Sequence, residues 1–206
     1  MTSITVDRSV DRHDPRLIPG SKHHVAMTIE GELKLYFPDG QTLPCSGVQG
    51  LTAVLTDTEV GTRPDGRPQV HLTRLLTYLH STEYGVLISL NPFRDNGGTL
   101  TGVGPGGVEA LLPGDVTFDQ FLVVKLRGRL YTNLDPLVMA ANSITQWPPM
   151  GTPILSQTAT MFYDVEDLPG GLAATAAGTA RPRLALAAED LCGSRLTRYV
   201  DISPNP

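Results

Sequence analysis

Leu122-Val123-Val124-Lys125-Leu126-Arg127-Gly128-Arg129-Leu130 is the stretch whose period decides the fold class. Leu122, Val124, Leu126 and Leu130 recur at alternate positions while Lys125, Arg127 and Arg129 fill the places between, the pattern of a strand with one buried face. Gly128 interrupts the apolar face and suggests a bulge, since it has no side chain to pack. Tyr131 to Pro136 then offers Asn, Asp and Pro as turn residues, and Leu137 to Ile144 resumes as a second strand. Trp147-Pro148-Pro149 stops it, because proline has no N–H for a ladder. Ile154 to Tyr163 is a third strand. The three make an antiparallel meander.

Working outward, Leu33, Leu35 and Phe37 alternate with Lys34 and Tyr36 in a strand that starts at Val25 and ends at the turn Pro38-Asp39-Gly40. Gln41 to Cys45 and Val48 to Leu55 read as further strands, and Asp57 to Pro68 as turn and loop. Gln69 to Ser81 fits a helical template through Leu72, Leu75, Leu76 and Leu79, but its Thr, Tyr and Val content and its β neighbours favour a strand. Val86 to Leu90 is its return partner. The expected fold is all-β, a single antiparallel β-barrel with a two-sheet β-sandwich as the alternative. Residues 1–24 are expected as an N-terminal arm or lid, 25–167 as the β domain, and 168–206 as a Gly/Ala-rich C-terminal segment with a short helix over Leu184 to Leu191.

Composition bounds the function. The 206 residues are 40% hydrophobic and 18% charged, a globular balance, with 21 Gly and 17 Pro for many turns. A net charge of -5 speaks against a nucleic-acid surface, which needs clustered cations. Arg outnumbers Lys 13 to 3, as in a GC-rich bacterial coding sequence. No long apolar run and no leader pattern occur, so the expectation is a cytoplasmic protein with no membrane partner. Cys45 and Cys192 make neither a disulfide framework nor a metal set, and His13, His23, His24, His71 and His80 show no ligand spacing, so no metal or other cofactor is expected. Gly102-Val103-Gly104-Pro105-Gly106-Gly107 has the spacing of a dinucleotide fingerprint without its context: no βαβ unit surrounds it, and Pro105 removes an N–H from any phosphate cradle.

The cationic row Lys125, Arg127 and Arg129 is the chemical feature that remains. As a solvated outer face it would pair with Asp57, Glu59 or Asp164 across the sheet. In a barrel mouth it would hold a ligand carboxylate or enolate. On the second reading Tyr131, Arg127 and Tyr163 are the candidate catalytic residues, and Lys125, Arg129, Trp147 and Tyr78 line the substrate. The function expected from that reading is a cofactor-independent cyclase or isomerase acting on an apolar small molecule held in a β-barrel cavity. A non-catalytic small-molecule binder and a self-assembling structural protein are the alternatives, and homo-oligomerisation stays open.

Overall fold

From Gly114 to Gln120 buried residues alternate strictly with more exposed ones, and Thr160 to Asp164 repeats the same period. The computed structural model describes residues 23–55, 61–74, 78–81, 85–147, 149, 152–156, 158–187 and 194–201, and it is nearly all strand. In chain order these are β1 (His23–Tyr36), β2 (Thr42–Leu55), β3 (Gly61–Thr62), β4 (Pro68–Arg74), β5 (Tyr78–Ser81), β6 (Val86–Leu90), β7 (Gly97–Gly102) and β8 (Gly114–Gln120). There follow β9 (Leu122–Leu126), β10 (Arg129–Asn133), β11 (Leu137–Ile144), β12 (Pro153–Ser156), β13 (Thr160–Asp164), β14 (Pro182–Ala187) and β15 (Ser194–Asp201). Among the described residues the helical content is three single 3-10 turns, at Val108–Ala110, Val165–Asp167 and Gly171–Ala173.

Most of these strands are halves of longer ones. β1 and β2 run 14 residues each, and then β4 with β5, β6 with β7, β8 with β9, β10 with β11, β12 with β13, and β14 with β15 follow as broken pairs. Each long strand is antiparallel to the next: β5 and β4 pair with β6 and β7, β7 and β6 with β8 and β9, and so on around. β14 and β15 then pair with the two ends of β1, so the hydrogen-bonded order returns to its start. Eight long strands in up-and-down order make an antiparallel β-barrel, as the alternation predicts. Half A holds β4, β7, β8, β11, β12 and β15; half B holds β5, β6, β9, β10, β13 and β14; the β1–β2 hairpin spans both.

One apolar cluster fills the inner face of both halves. It includes Val70, Leu72, Leu100, Val116, Phe118 and Ile154 in half A and Leu35, Ile88, Val124, Leu126, Phe162 and Leu184 in half B. Fully burying one such side chain contributes about 1.5–3 kcal/mol, so the cluster is the main source of stability. β11 keeps its phase through a bulge: Asn142 and Ser143 are both exposed, the register shifts between Ala141 and Ile144, and Ile144 turns inward again. Ser143 adopts φ +52°, and the Asp115 carboxylate accepts its N–H at 2.8 Å.

The strand breaks meet at the waist of the barrel, where side chains replace the missing ladder bonds. Asn133 Oδ1 accepts the Leu122 N–H at 2.6 Å, and its Nδ2 donates to the carbonyls of Gln120 (2.9 Å) and Asp135 (2.8 Å). Asn91 donates to Thr132 Oγ1 at 3.0 Å and to the Leu172 carbonyl at 2.8 Å, and Asn96 Oδ1 accepts the Phe121 N–H at 2.7 Å. Arg94 lies 3.9 Å over the Phe121 ring and donates to Ala174 O (2.8 Å) and Leu134 O (3.3 Å). Residues 165–181 are therefore a strap tied to the outside of half B. Arg94→Ala removes the stacking and two charged hydrogen bonds from a half-buried site, a loss of about 1–2 kcal/mol. The expected melting temperature falls by about 2–8 °C, and amides 168–174 gain hydrogen exchange before the strands do.

Four expectations are corrected. Leu122 to Leu130 is not one strand: Arg127 (φ +51°) and Gly128 (φ +80°) form a two-residue hairpin turn between β9 and β10. Both positive φ values fit a type I′ turn, whose twist matches the flanking strands. Leu184 to Ala187 is strand rather than helix, because β14 is an inner strand paired on both sides, with Ala185 opposite Tyr36 and Met161. Ile154 to Tyr163 is broken into β12 and β13, as Gln69 to Ser81 is into β4 and β5. Residues 1–22, Asp57, Glu59, Cys192 and the side chain of Cys45 lie outside the described residues.

Candidate functional site at the rim of half B

The two-residue turn decides which charges reach the barrel mouth. Across it Arg129 pairs with Leu126 and Leu130 with Lys125. Arg129 therefore shares the inner face with Leu126, while Lys125 and the 37%-exposed Leu130 lie outside. The three cations expected in one row are split: Lys125 outward, Arg127 in the turn and Arg129 inward.

Arg129 faces Asp164, the last residue of β13. Its Nη1 donates to Asp164 Oδ2 at 2.7 Å; the carboxylate is 1% exposed and the guanidinium 59%. A carboxylate removed from water requires a countercharge and hydrogen bonds. Asp164 has both, because its Oδ1 caps the turn Val165–Asp167 by accepting the Glu166 N–H at 3.1 Å. That turn carries Asp167 to Arg183 at the start of β14, where Nη2 meets Oδ2 at 2.8 Å. The hydrogen bond that Arg183 donates to Asp167, the charge of that carboxylate, and the fields of Asp164 and Tyr131 raise the Arg183 pKa above the ordinary arginine value. Arg183 therefore stays a cation beside the pair.

Tyr131 completes the group. It stands opposite both Asp164 and Val124, on the inner face, half-buried against the apolar cluster. Tyr131, Arg129 and Asp164 thus share the inner face where the apolar interior reaches the rim, and the Asp167–Arg183 pair stands within the electrostatic reach of Asp164 and Tyr131, both guanidiniums being more than half exposed (59% and 54%). Guanidiniums present several N–H donors in a fork that fits a carboxylate or an enolate oxygen. A phenol donates one hydrogen bond or a proton to the same kind of oxygen.

The other residues singled out in the sequence lie apart. Tyr163 is opposite Thr132, on the outer face, so it and Tyr131 point to opposite sides of the sheet. Arg127 is exposed at the turn. Trp147 is 2% exposed in the apolar cluster, on the half A side. Tyr78 stands opposite Ser89 in β5, and its side chain lies outside the described residues. Asp164, anticipated only as a partner of the cations, proves to be the buried centre, whereas Asp167 and Arg183 were not singled out. The readable signal for Asp167 and Arg183 was opposite charge at the two ends of the segment joining β13 to β14. Among the described residues no group of three His, Cys, Asp or Glu is placed to hold a metal ion, and no helix is long and apolar enough to cross a membrane. The dinucleotide-like glycines lead into a three-residue turn, not a helix, so no helix terminus stands behind them.

Fold and rim together define an up-and-down β-barrel with an apolar interior and an ionisable mouth. No protein-family model matches the chain, and no curated protein does. Among solved structures it is similar to DynF from the dynemicin biosynthesis pathway of Micromonospora chersina, with 15% identity and a TM-score of 0.64 over 97% of this chain and 93% of that one. That likeness is one of fold.

Proposed function

We propose that this protein takes an apolar small molecule into its barrel through the rim of half B and acts on it as a cofactor-independent cyclase or isomerase of a biosynthetic pathway. The observation that carries the reading is the inward-facing group Tyr131, Asp164 and Arg129 at the edge of a continuous apolar interior. The resemblance of nearly the whole chain to a protein of a biosynthesis pathway supports it. In this reading Arg129, oriented by Asp164, and Arg183 bind an oxygen on which charge develops, Tyr131 donates a hydrogen bond or proton to it, and the walls hold the reactive conformer.

Native mass spectrometry of the protein from its own host is expected to show a stoichiometric organic adduct whose mass identifies the ligand class. With that ligand as substrate, Tyr131→Phe should lower turnover by about 10²–10⁴-fold, the range for one general acid, with binding retained. Unchanged turnover removes Tyr131 from the chemistry. Binding without any turnover in the unaltered protein favours a carrier, and an adduct-free protein that binds no apolar probe overturns the proposal.

A further inference from the structure

Two buried side-chain polar atoms among the described residues have no hydrogen-bond partner, the Tyr36 hydroxyl and the Trp147 indole Nε1. They differ in setting. Tyr36 neighbours the inward Leu35 in β1, so it belongs to the outer face, and it is only half-buried. Trp147 is 2% exposed and belongs to the interior cluster with Leu111, Ile144 and Ile154. An indole N–H is a donor only, and at that burial water does not reach it from outside. A Phe would be equally at home in these apolar surroundings without leaving a donor unmet, so the nitrogen calls for an acceptor that the described residues do not supply.

Resting on the reading that the barrel holds an apolar molecule, we propose that Trp147 Nε1–H is the interior hydrogen-bond donor for that ligand. The ligand then carries an acceptor oxygen, a carbonyl or hydroxyl, along its apolar body, besides any polar group held at the rim. A pure hydrocarbon would bury the N–H unmet and bind less tightly. An oxygenated chain of the same length would satisfy it, and discrimination would come from the indole N–H, a donor that phenylalanine lacks.

Trp147 is the single tryptophan of the chain, so its indole N–H gives one resolved signal in a nitrogen–proton correlation spectrum. The test titrates the full chain with 2-decanone and, separately, with decane, following both that signal and the methyl signals of the interior Leu, Ile and Val residues. Both probes should move the methyl signals. Only the ketone should move the indole proton downfield, saturably, and it should bind about tenfold more tightly than decane, the scale of one hydrogen bond to a buried donor. Trp147→Phe should abolish that preference while decane binding persists. A ketone that shifts the methyls but not the indole, or a preference that survives Trp147→Phe, overturns the inference while leaving the ligand-holding barrel intact. If neither probe touches the interior methyls, the ligand-holding reading falls and this inference with it. The indole shift in the unaltered protein decides the matter even if Trp147→Phe does not fold.

Discussion

Asn133→Ala is expected to lower the melting temperature by about 6–15 °C. Asn133 is 1% exposed and ties three backbone groups at the waist, the Leu122 N–H and the carbonyls of Gln120 and Asp135. Alanine leaves all three without that partner. Each buried group so exposed costs about 1–3 kcal/mol, and partial relaxation of a chain break keeps the total nearer about 3–4 kcal/mol than the sum. For a domain of this size one kcal/mol shifts the midpoint by about 2–4 °C. Asn133→Asp is the informative companion: it keeps an acceptor for the Leu122 N–H but turns a carboxylate oxygen toward two carbonyl oxygens. It should be no better than alanine at neutral pH. Thermal unfolding followed by circular dichroism checks both, and a fall under 2 °C for Asn133→Ala would mean that the strand breaks do not depend on these bonds.

The waist also shows where sequence reading stopped. Val86 to Leu90 and Leu137 to Ile144 were readable to the residue because each is a largely apolar run bounded by turn residues. The all-β class was readable for the same reason. The hairpin at Arg127-Gly128 was not: it uses Arg where Asn or Asp would announce a two-residue turn, so the apolar period seemed to run on from Leu126 to Leu130. Crossing a two-residue turn reverses the face of every later residue relative to simple alternation. Unbroken alternation therefore set Arg129 on one face with Lys125 and Arg127, whereas the turn leaves Lys125 outward and brings Arg129 to the inner face with Leu126. The strand at Leu184 to Ala187 was concealed differently, because small alanines that suit a helix also suit a strand squeezed between two neighbours. The rim pair itself was half legible: Asp164 could be named as a partner for the cations from charge alone, but its burial depends on contacts that no local pattern encodes.

Gly102→Ala and Gly114→Ala are expected to be far more damaging than Gly104→Ala, although Gly102 and Gly104 belong to the same glycine-rich run. Gly102 and Gly114 are opposite one another in β7 and β8. A Cβ on Gly102 would run into the Ala110 carbonyl and one on Gly114 into the Leu111 carbonyl, which are backbone atoms with little freedom to yield. The segment Val108 to Leu112 thus folds back across the end of half A, and Leu111, 1% exposed, enters the apolar cluster as its plug. Either alanine must lift that plug or part the two strands. Losing the burial of a leucine costs about 2–5 kcal/mol, so each variant should fall in that range or fail to accumulate as folded protein. A Cβ on Gly104 meets nothing within 4 Å, and Gly104→Ala should stay within about 0.5 kcal/mol of the unaltered protein, as surface changes do. Denaturant unfolding of the three variants separates this account from a nucleotide-binding one. A phosphate cradle would make Gly104 matter for binding and leave stability nearly even across the run, whereas a plug ranks Gly102 and Gly114 together at the bottom. The same ranking bears on the proposed function, in which a barrel plugged at half A leaves the rim with Tyr131, Asp164, Arg129 and Arg183 as the ligand's way in.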